Sequence, residues 1–297
     1  LRVAYDSMHG AGHQPFELLF SDTHMEWFSI RNQIAIRRST HRPEPVSDEL
    51  HELASWVRSK RCDVGLATDG DADRVGVVGP DGRFISSQET MALLLWHILE
   101  DRRGRGVVVS TVSGTNLLDA ITQAYGVQLH RTPVGFKHIA HWMRTENVLF
   151  GGEESGGFGF QGCVPERDGL LGGLLILEMM VMRRKGLSAL LHEMRRRFGR
   201  WFFAREDLSL THPVSAERLH AWAQSASVRN QSFVGMGKVE RIETLDGAKV
   251  VLEDRSWLLL RPSGTEPLLR IYAEASHPRG LKALIRWGQT VGRQLLR

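Results

Sequence analysis

Residues 64–78 read Val64-Gly65-Leu66-Ala67-Thr68-Asp69-Gly70-Asp71-Ala72-Asp73-Arg74-Val75-Gly76-Val77-Val78. Two short apolar runs flank an acidic loop, and each run has the length and residue types of a buried strand. The loop therefore carries three carboxylates at alternate positions on a rigid footing. Carboxylates so close repel one another unless a cation sits among them, which points to a divalent metal. Asp oxygens are hard donors, and three of them without His or Cys favour Mg²⁺ over zinc. Three protein ligands leave coordination open for water or a phosphate oxygen. A solvated acidic turn is the competing reading. An EF-hand is excluded, because its sixth and twelfth positions require Gly and Glu and here hold Arg74 and Pro80. The turn Gly79-Pro80-Asp81-Gly82 then folds the chain back as a hairpin rather than into a helix.

Around this stretch the pattern alternates. Arg2–Tyr5 reads as a strand, 14–20 as a helix, Glu26–Ile30 as a strand, and 47–60 as a helix opened by Ser47. A helix over 88–102 follows the hairpin, capped by Ser86 or Ser87. A second unit repeats the plan after Gly104-Arg105-Gly106: strands at 107–109, 127–132 and 148–150, helices at 117–125 and 136–144. Helices at 170–184 and 188–197 close it. From Trp201 the texture becomes strands at 238–245, 249–252, 257–260 and 268–275, with helices at 216–226 and 281–296. The expected fold class is α/β, two consecutive α/β domains with mixed sheets followed by a smaller α+β domain. The boundaries are 1–103, 104–200 and 201–297, and the length of 297 residues suits two or three domains.

Composition narrows the classes of function. The net charge of +4 comes from scattered basic residues, with Arg195-Arg196-Arg197 the one short run, so no nucleic-acid partner is expected and an anionic small molecule suits the charge. Two cysteines, Cys62 and Cys163, build no disulfide framework and fit a cytoplasmic protein. The apolar stretch 170–182 is too short and too interrupted to span a bilayer, so no membrane role is expected.

Two further loops carry chemistry. Gly152-Glu153-Glu154-Ser155-Gly156-Gly157 sits at the C-terminal end of a buried strand, where open α/β sheets bind ligands. Its Glu and Ser can hydrogen-bond sugar hydroxyls, and its glycines let backbone approach closely. Arg261-Pro262-Ser263-Gly264-Thr265-Glu266-Pro267, followed by Arg270, combines cations, hydroxyls and a glycine turn into a phosphate cradle.

These three loops, with Thr132-Pro133-Val134-Gly135-Phe136-Lys137 and Arg167-Asp168-Gly169, resemble in order the motifs of the α-D-phosphohexomutases, the family of phosphoglucomutase, phosphomannomutase and phosphoglucosamine mutase. The resemblance runs the length of the chain. It implies interconversion of hexose 1-phosphate and hexose 6-phosphate: a phosphoserine gives its phosphoryl group to a bound hexose phosphate, the bisphosphate reorients, and the other phosphoryl group returns to the serine. It further implies Mg²⁺ on Asp69, Asp71 and Asp73, with Arg74 steadying the transferring charge and Lys137 as acid/base or charge-stabilising group. Glu153 and Ser155 would hold the sugar hydroxyls, and Arg261, Ser263, Gly264, Thr265 and Arg270 the unreacting phosphate. A hexose 1,6-bisphosphate would serve as activator.

The pattern departs in one place. Relatives carry the phosphoserine in a Thr-Ala-Ser-His-Asn-Pro loop of a first domain, and this sequence begins, without Met, where a second domain would begin. The expectation is a missing N-terminal domain, weak metal binding, and a chain inactive by itself as a mutase. Ala275-Ser276-His277-Pro278 imitates the serine loop but reads as a strand exit ended by proline. His9 and His138 read as structural. Gly157 stands where some relatives have His, and the Glu-Glu-Ser pattern leans towards phosphoglucomutase. A non-catalytic phosphosugar-binding module is the alternative, and a Mg²⁺-dependent phosphatase a remoter one.

Overall fold

A computed structural model describes residues 1–33, 42–263 and 266–296. They divide into two compact units: Leu1–Gly114 with Leu118–Arg131 and Gly135–Phe198, and Gly199–Arg297 with Thr115–Leu117 and Thr132–Val134.

The first unit contains two mixed sheets. One is built from β1 (Arg2–Asp6), β2 (Glu26–Ile30), β3 (Val64–Thr68), β4 (Val75–Val78) and β5 (Phe84–Ile85), in the order β2-β1-β3-β4-β5. β1 runs parallel to β2 and β3, and β4 returns antiparallel to β3 and β5. All five residues of β3 and all four of β4 are buried, as expected of strands covered on both faces. α1 (His13–Phe20) follows β1, and Phe16 stacks on Tyr5 with ring centroids 3.8 Å apart. α2 (His51–Ser59) lays Leu53 and Val57 against Ala4, Ala67 and Val78. The helix expected to open at Ser47 is instead a 3₁₀ turn, Ser47–Glu49, followed by α2. α3 (Ser87–Glu100) is capped by Ser86, whose hydroxyl accepts the Glu89 N–H at 3.2 Å.

The other sheet comprises β6 (Val107–Thr111), β7 (Leu129–Thr132), β8 (Val148–Gly152) and β9 (Phe158–Phe160), ordered β7-β6-β8-β9. β6 and β8 are parallel, while β9 turns back antiparallel to β8. α4 (Asn116–Tyr125) and α5 (Phe136–Thr145) connect these strands, and α5 buries Phe136, Ile139 and Ala140 against Val109 and Val148. α6 (Gly169–Arg183), opened by an Asp168 cap on the Leu171 N–H, packs on α3, β3 and β4, and α7 (Leu187–Phe198) also packs on α3. His97 of α3 is fully buried there, within 2.7 Å of Asp101 and 3.2 Å of Glu178.

The second unit is an antiparallel sheet of β10 (Phe202–Ser209), β11 (Ser232–Phe233), β12 (Gly237–Glu243), β13 (Ala248–Leu252), β14 (Trp257–Pro262) and β15 (Leu268–Ala275), ordered β10-β15-β14-β13-β12-β11. α8 (Ala216–Gln224), α9 (Ala226–Arg229) and α10 (Pro278–Gln294) bury Leu219, Ala223, Val228, Leu284, Ile285 and Val291 in a core with Val250, Leu258, Leu260 and Ile271. The α/β and α+β classes expected from the sequence are both present. α10 starts earlier than the periodicity suggested. His277 accepts the Gly280 N–H at 2.8 Å and Pro278 occupies the first turn, so the Ser-His-Pro stretch is a helix cap. Ser276 donates its hydroxyl to Asp254 at 3.0 Å.

Candidate functional site

The loop between β3 and β4 is organised by its first carboxylate. Asp69, 2% exposed, accepts the N–H groups of Asp73 and Arg74 at 2.9 and 3.1 Å on Oδ1, which folds the chain around it. Its Oδ2 accepts from Arg74 Nε at 2.6 Å. Asp73 Oδ2 lies 2.5 Å from Arg167 Nη2, while Asp71 is exposed. Burial, and next the adjacent Asp69, push the Asp73 carboxyl up to about 6 against the pull of Arg167 and Arg74.

By donor chemistry the loop fits a hard divalent cation, offering carboxylate oxygens alone. By arrangement it is closed: arginines already occupy Asp69 and Asp73, and no three His, Cys, Asp or Glu side chains among the described residues are gathered to hold a metal.

Two neighbouring turns grip this loop through backbone. The Gly169 N–H donates to Ala72 O at 3.0 Å, and the Val75 N–H to Gly156 O at 3.0 Å, with Arg74 and Gly157 bridged in antiparallel fashion. A Cβ on Gly169 would lie 2.5 Å from Arg74 O, so α6 approaches the loop as closely as backbone can.

The second turn, between β8 and β9, closes through the Glu153 N–H donating to Gly157 O at 3.0 Å. Its two glutamates diverge. Glu154 accepts from the hydroxyls of Ser113 at 2.6 Å and Thr111 at 3.3 Å, at the end of β6. Glu153 is buried and accepts the Gly135 N–H at 3.0 Å. Burial first, then the charge of Glu154, raise its carboxyl to about 7, opposed by Arg167 and the Gly135 N–H. Ser155 Oγ is buried without a hydrogen-bond partner among the described residues, the kind of orphan a ligand hydroxyl would satisfy. Lys137, on the first turn of α5, is exposed. Asp69, Asp73, Arg74, Glu153 and Arg167 thus form one linked set in this unit. Glu154 and Arg167 were not singled out from the sequence as site residues.

In the other unit, Arg261 and Arg270 stand directly opposite each other on β14 and β15. Like charges in register are destabilising without a counter-ion, and Asp207 of β10 stands in register with Arg270 on its other side. Arg261 Nε donates to Asp246 at 2.8 Å, and the same carboxylate oxygen accepts the Val134 N–H at 2.8 Å. Arg270 Nε is buried with no hydrogen-bond partner among the described residues. The Ser263 N–H closes the turn on Leu268 O at 2.8 Å, and a cavity of about 730 Å³ is lined by Asp246, Gly247, Pro262 and Ser263 among others. Gly264 and Thr265, also expected in the cradle, lie outside the described residues.

Residues 1–82, 86–198 and 214–285 match, respectively, domain II (alpha/beta/alpha), domain III (alpha/beta/alpha) and the C-terminal domain described for phosphoglucomutase/phosphomannomutase. A phosphoglucomutase/phosphomannomutase of Thermococcus kodakarensis is 31% identical over 273 residues, covering 92% of this chain and 56% of the relative. A phosphoglucosamine/phosphogalactosamine mutase of Sulfurisphaera tokodaii is 30% identical over 249 residues, covering 84% and 52%. The crystal structure of a phosphoglucomutase/phosphomannomutase family protein from Burkholderia thailandensis shares the fold, with a TM-score of 0.80 and 22% identity over 99% of this chain and 61% of that one. The chain spans about half the length of the curated relatives it matches. Three family domains matched in consecutive order, over the same loops that the geometry sets apart, place this chain in the phosphoglucomutase/phosphomannomutase family.

Proposed function

We propose that the chain is the metal-, sugar- and phosphate-binding part of a phosphohexomutase acting on hexose 1-phosphate and hexose 6-phosphate, with glucose as the leading sugar. The observation that carries the reading is the Arg261–Arg270 pair, two cations in register, one held by Asp246 and the other facing Asp207 across the sheet, with one buried guanidinium nitrogen left unpartnered that a phosphate oxygen would satisfy. Arg261, Ser263 and Arg270, with Gly264 and Thr265, would hold the phosphate that does not react. Ser155 Oγ would take a sugar hydroxyl. Glu153, titrating near neutrality, would share a proton with another through the oxygen not held by the Gly135 N–H. Lys137 would stabilise charge on the transferring group.

Asp69, Asp71 and Asp73 would hold Mg²⁺, which when bound supplies positive charge against the oxygens of the phosphoryl group. Arg74, anchored on Asp69, would add to that charge. The phosphoryl donor would be a serine outside these residues, since Ser276 belongs to a helix cap and the sequence holds no Thr-Ala-Ser-His-Asn-Pro loop. A hexose 1,6-bisphosphate would recharge that serine. Free Cys62 and Cys163 suit a reducing cytoplasm, and no helix among the described residues is long and apolar enough to cross a membrane.

Calorimetric titration with glucose 1-phosphate, mannose 1-phosphate and glucosamine 1-phosphate tests the proposal. Saturable binding that is lost in Arg261→Ala is expected, with no turnover by the 297-residue chain in a coupled assay containing glucose 1,6-bisphosphate and Mg²⁺. Absence of binding to all three sugars, or ordinary turnover by the chain alone, would contradict it. Binding that never becomes turnover, even when a phosphoserine-bearing domain of a relative is supplied, would indicate a non-catalytic module.

A further inference from the structure

Arg167 comes from the turn ahead of α6, yet its guanidinium reaches Asp73, 2.5 Å from Oδ2. Its path is specific. The stem crosses Gly157, where a Cβ would sit 2.4 Å from Arg167 Cδ and 3.0 Å from Cγ. The guanidinium lies 5.7 Å from the centre of the Phe136 ring. Its Nε stands 3.5 Å from Glu166, and its charge is felt by both Asp73 and Glu153. Any side chain at 157 larger than hydrogen would push this arm aside.

We propose that Arg167 is a tethered cation that competes with the divalent metal for Asp73, and that the missing side chain at Gly157 sets how firmly it does so. The inference rests on the metal reading of the Asp69–Asp73 loop. Arg167 holds Oδ2 of Asp73, so a metal that takes that oxygen displaces the guanidinium, whose other acidic neighbour in the set is Glu153. Metal binding and the charge beside the sugar-reading turn are thereby coupled through a single side chain. Arg167 is a positioning residue: it acts on the metal through Asp73.

Mn²⁺ binding to the whole chain, followed by electron paramagnetic resonance of the free ion, provides a readout independent of turnover. Arg167→Met removes the competitor, and because a charge-assisted contact of this kind is worth roughly a factor of ten or more in an equilibrium constant, Mn²⁺ should bind about tenfold tighter. Gly157→Ala leaves the charge but dislodges the arm, and should tighten binding several-fold. The double variant should bind no tighter than Arg167→Met, since both changes act through one contact. Unchanged or weaker Mn²⁺ binding in Arg167→Met, or a further gain in the double variant, would overturn the proposal. Asp73→Ala separates the two levels. Loss of Mn²⁺ binding there, with no response in the other variants, sinks the competition alone; no effect of Asp73→Ala sinks the metal reading and the competition with it.

Discussion

Replacing Gly169 by alanine inserts one methyl group where α6 begins and the acidic loop passes. The new Cβ would meet Arg74 O at 2.5 Å, Arg74 C at 2.6 Å and Ala72 O at 2.9 Å. Ordinary contact begins at 3.4 Å, so loop and helix must separate by about 0.9 Å at the closest atom. All three atoms are backbone, and no rotamer change relieves them. Overpacking of this kind costs ~1–3 kcal/mol, and prying open the 3.0 Å bond from the Gly169 N–H to Ala72 O adds ~1 kcal/mol. Displacing Asp73 by nearly an ångström should also weaken divalent-ion binding, since positioning errors of that size cost up to ~100-fold at reacting centres. The control is Gly186→Ala, whose added Cβ meets nothing within 4 Å. Urea unfolding followed by circular dichroism, together with Mn²⁺ titration, reads both effects. The reasoning is refuted if Gly169→Ala behaves like Gly186→Ala in both measurements.

Three further outcomes follow from the second unit. Glu274 is fully buried, accepting from the Asn116 N–H at 2.8 Å and Trp257 Nε1 at 3.2 Å, and burial raises its carboxyl from 4.5 to about 7. A folded-state value above the unfolded one means that the native unit binds the extra proton. Its contribution is therefore complete below pH 4.5 and lost as the pH rises towards 7, by up to ~3 kcal/mol. Glu274→Gln should flatten that part of the stability profile, and an unchanged pH slope in the variant would exclude Glu274 as its source. His277→Ala should lower the stability of the same unit by ~1 kcal/mol through loss of the α10 cap, measured by thermal unfolding, and incubation with glucose 1,6-bisphosphate should leave Ser276 unphosphorylated by mass spectrometry. No loss of stability would mean that the cap is dispensable, and phosphate on Ser276 would revive it as a nucleophile.

Much of the architecture was legible because its signals are local. The apolar runs of β3, β4, β6 and β8, and the glycine-rich breaks after them, give strand ends and loops directly. β10 has no apolar alternation to mark it, because Arg205, Glu206 and Asp207 interrupt its middle and all its residues are exposed or half-buried. β9 is three residues long and contains Gly159, too short for any period. Glu274 alternates with Ile271, Ala273 and Ala275 of the core face, and its burial on the opposite face rests on partners distant in sequence, Asn116 and Trp257. Each of the three candidate loops is a contiguous motif and is legible for the same local reason. Arg167 was legible only as part of a charged turn. Its partner Asp73 lies on a separate segment, and the channel that leads there is the absence of a side chain at Gly157. The proline in Ser276-His277-Pro278 reads in sequence as the end of a strand, whereas in the fold it marks a helix start.

Hydrogen–deuterium exchange of the chain with and without glucose 1-phosphate, in the presence of Mg²⁺, interrogates the sugar-reading turn and the phosphate cradle in one measurement. Slowed exchange is expected in peptides covering 152–157 and in those covering 261–270, with both effects abolished in Arg261→Ala. Protection confined to one of them, or protection elsewhere with both unchanged, would contradict the proposal that each of these loops binds hexose phosphate.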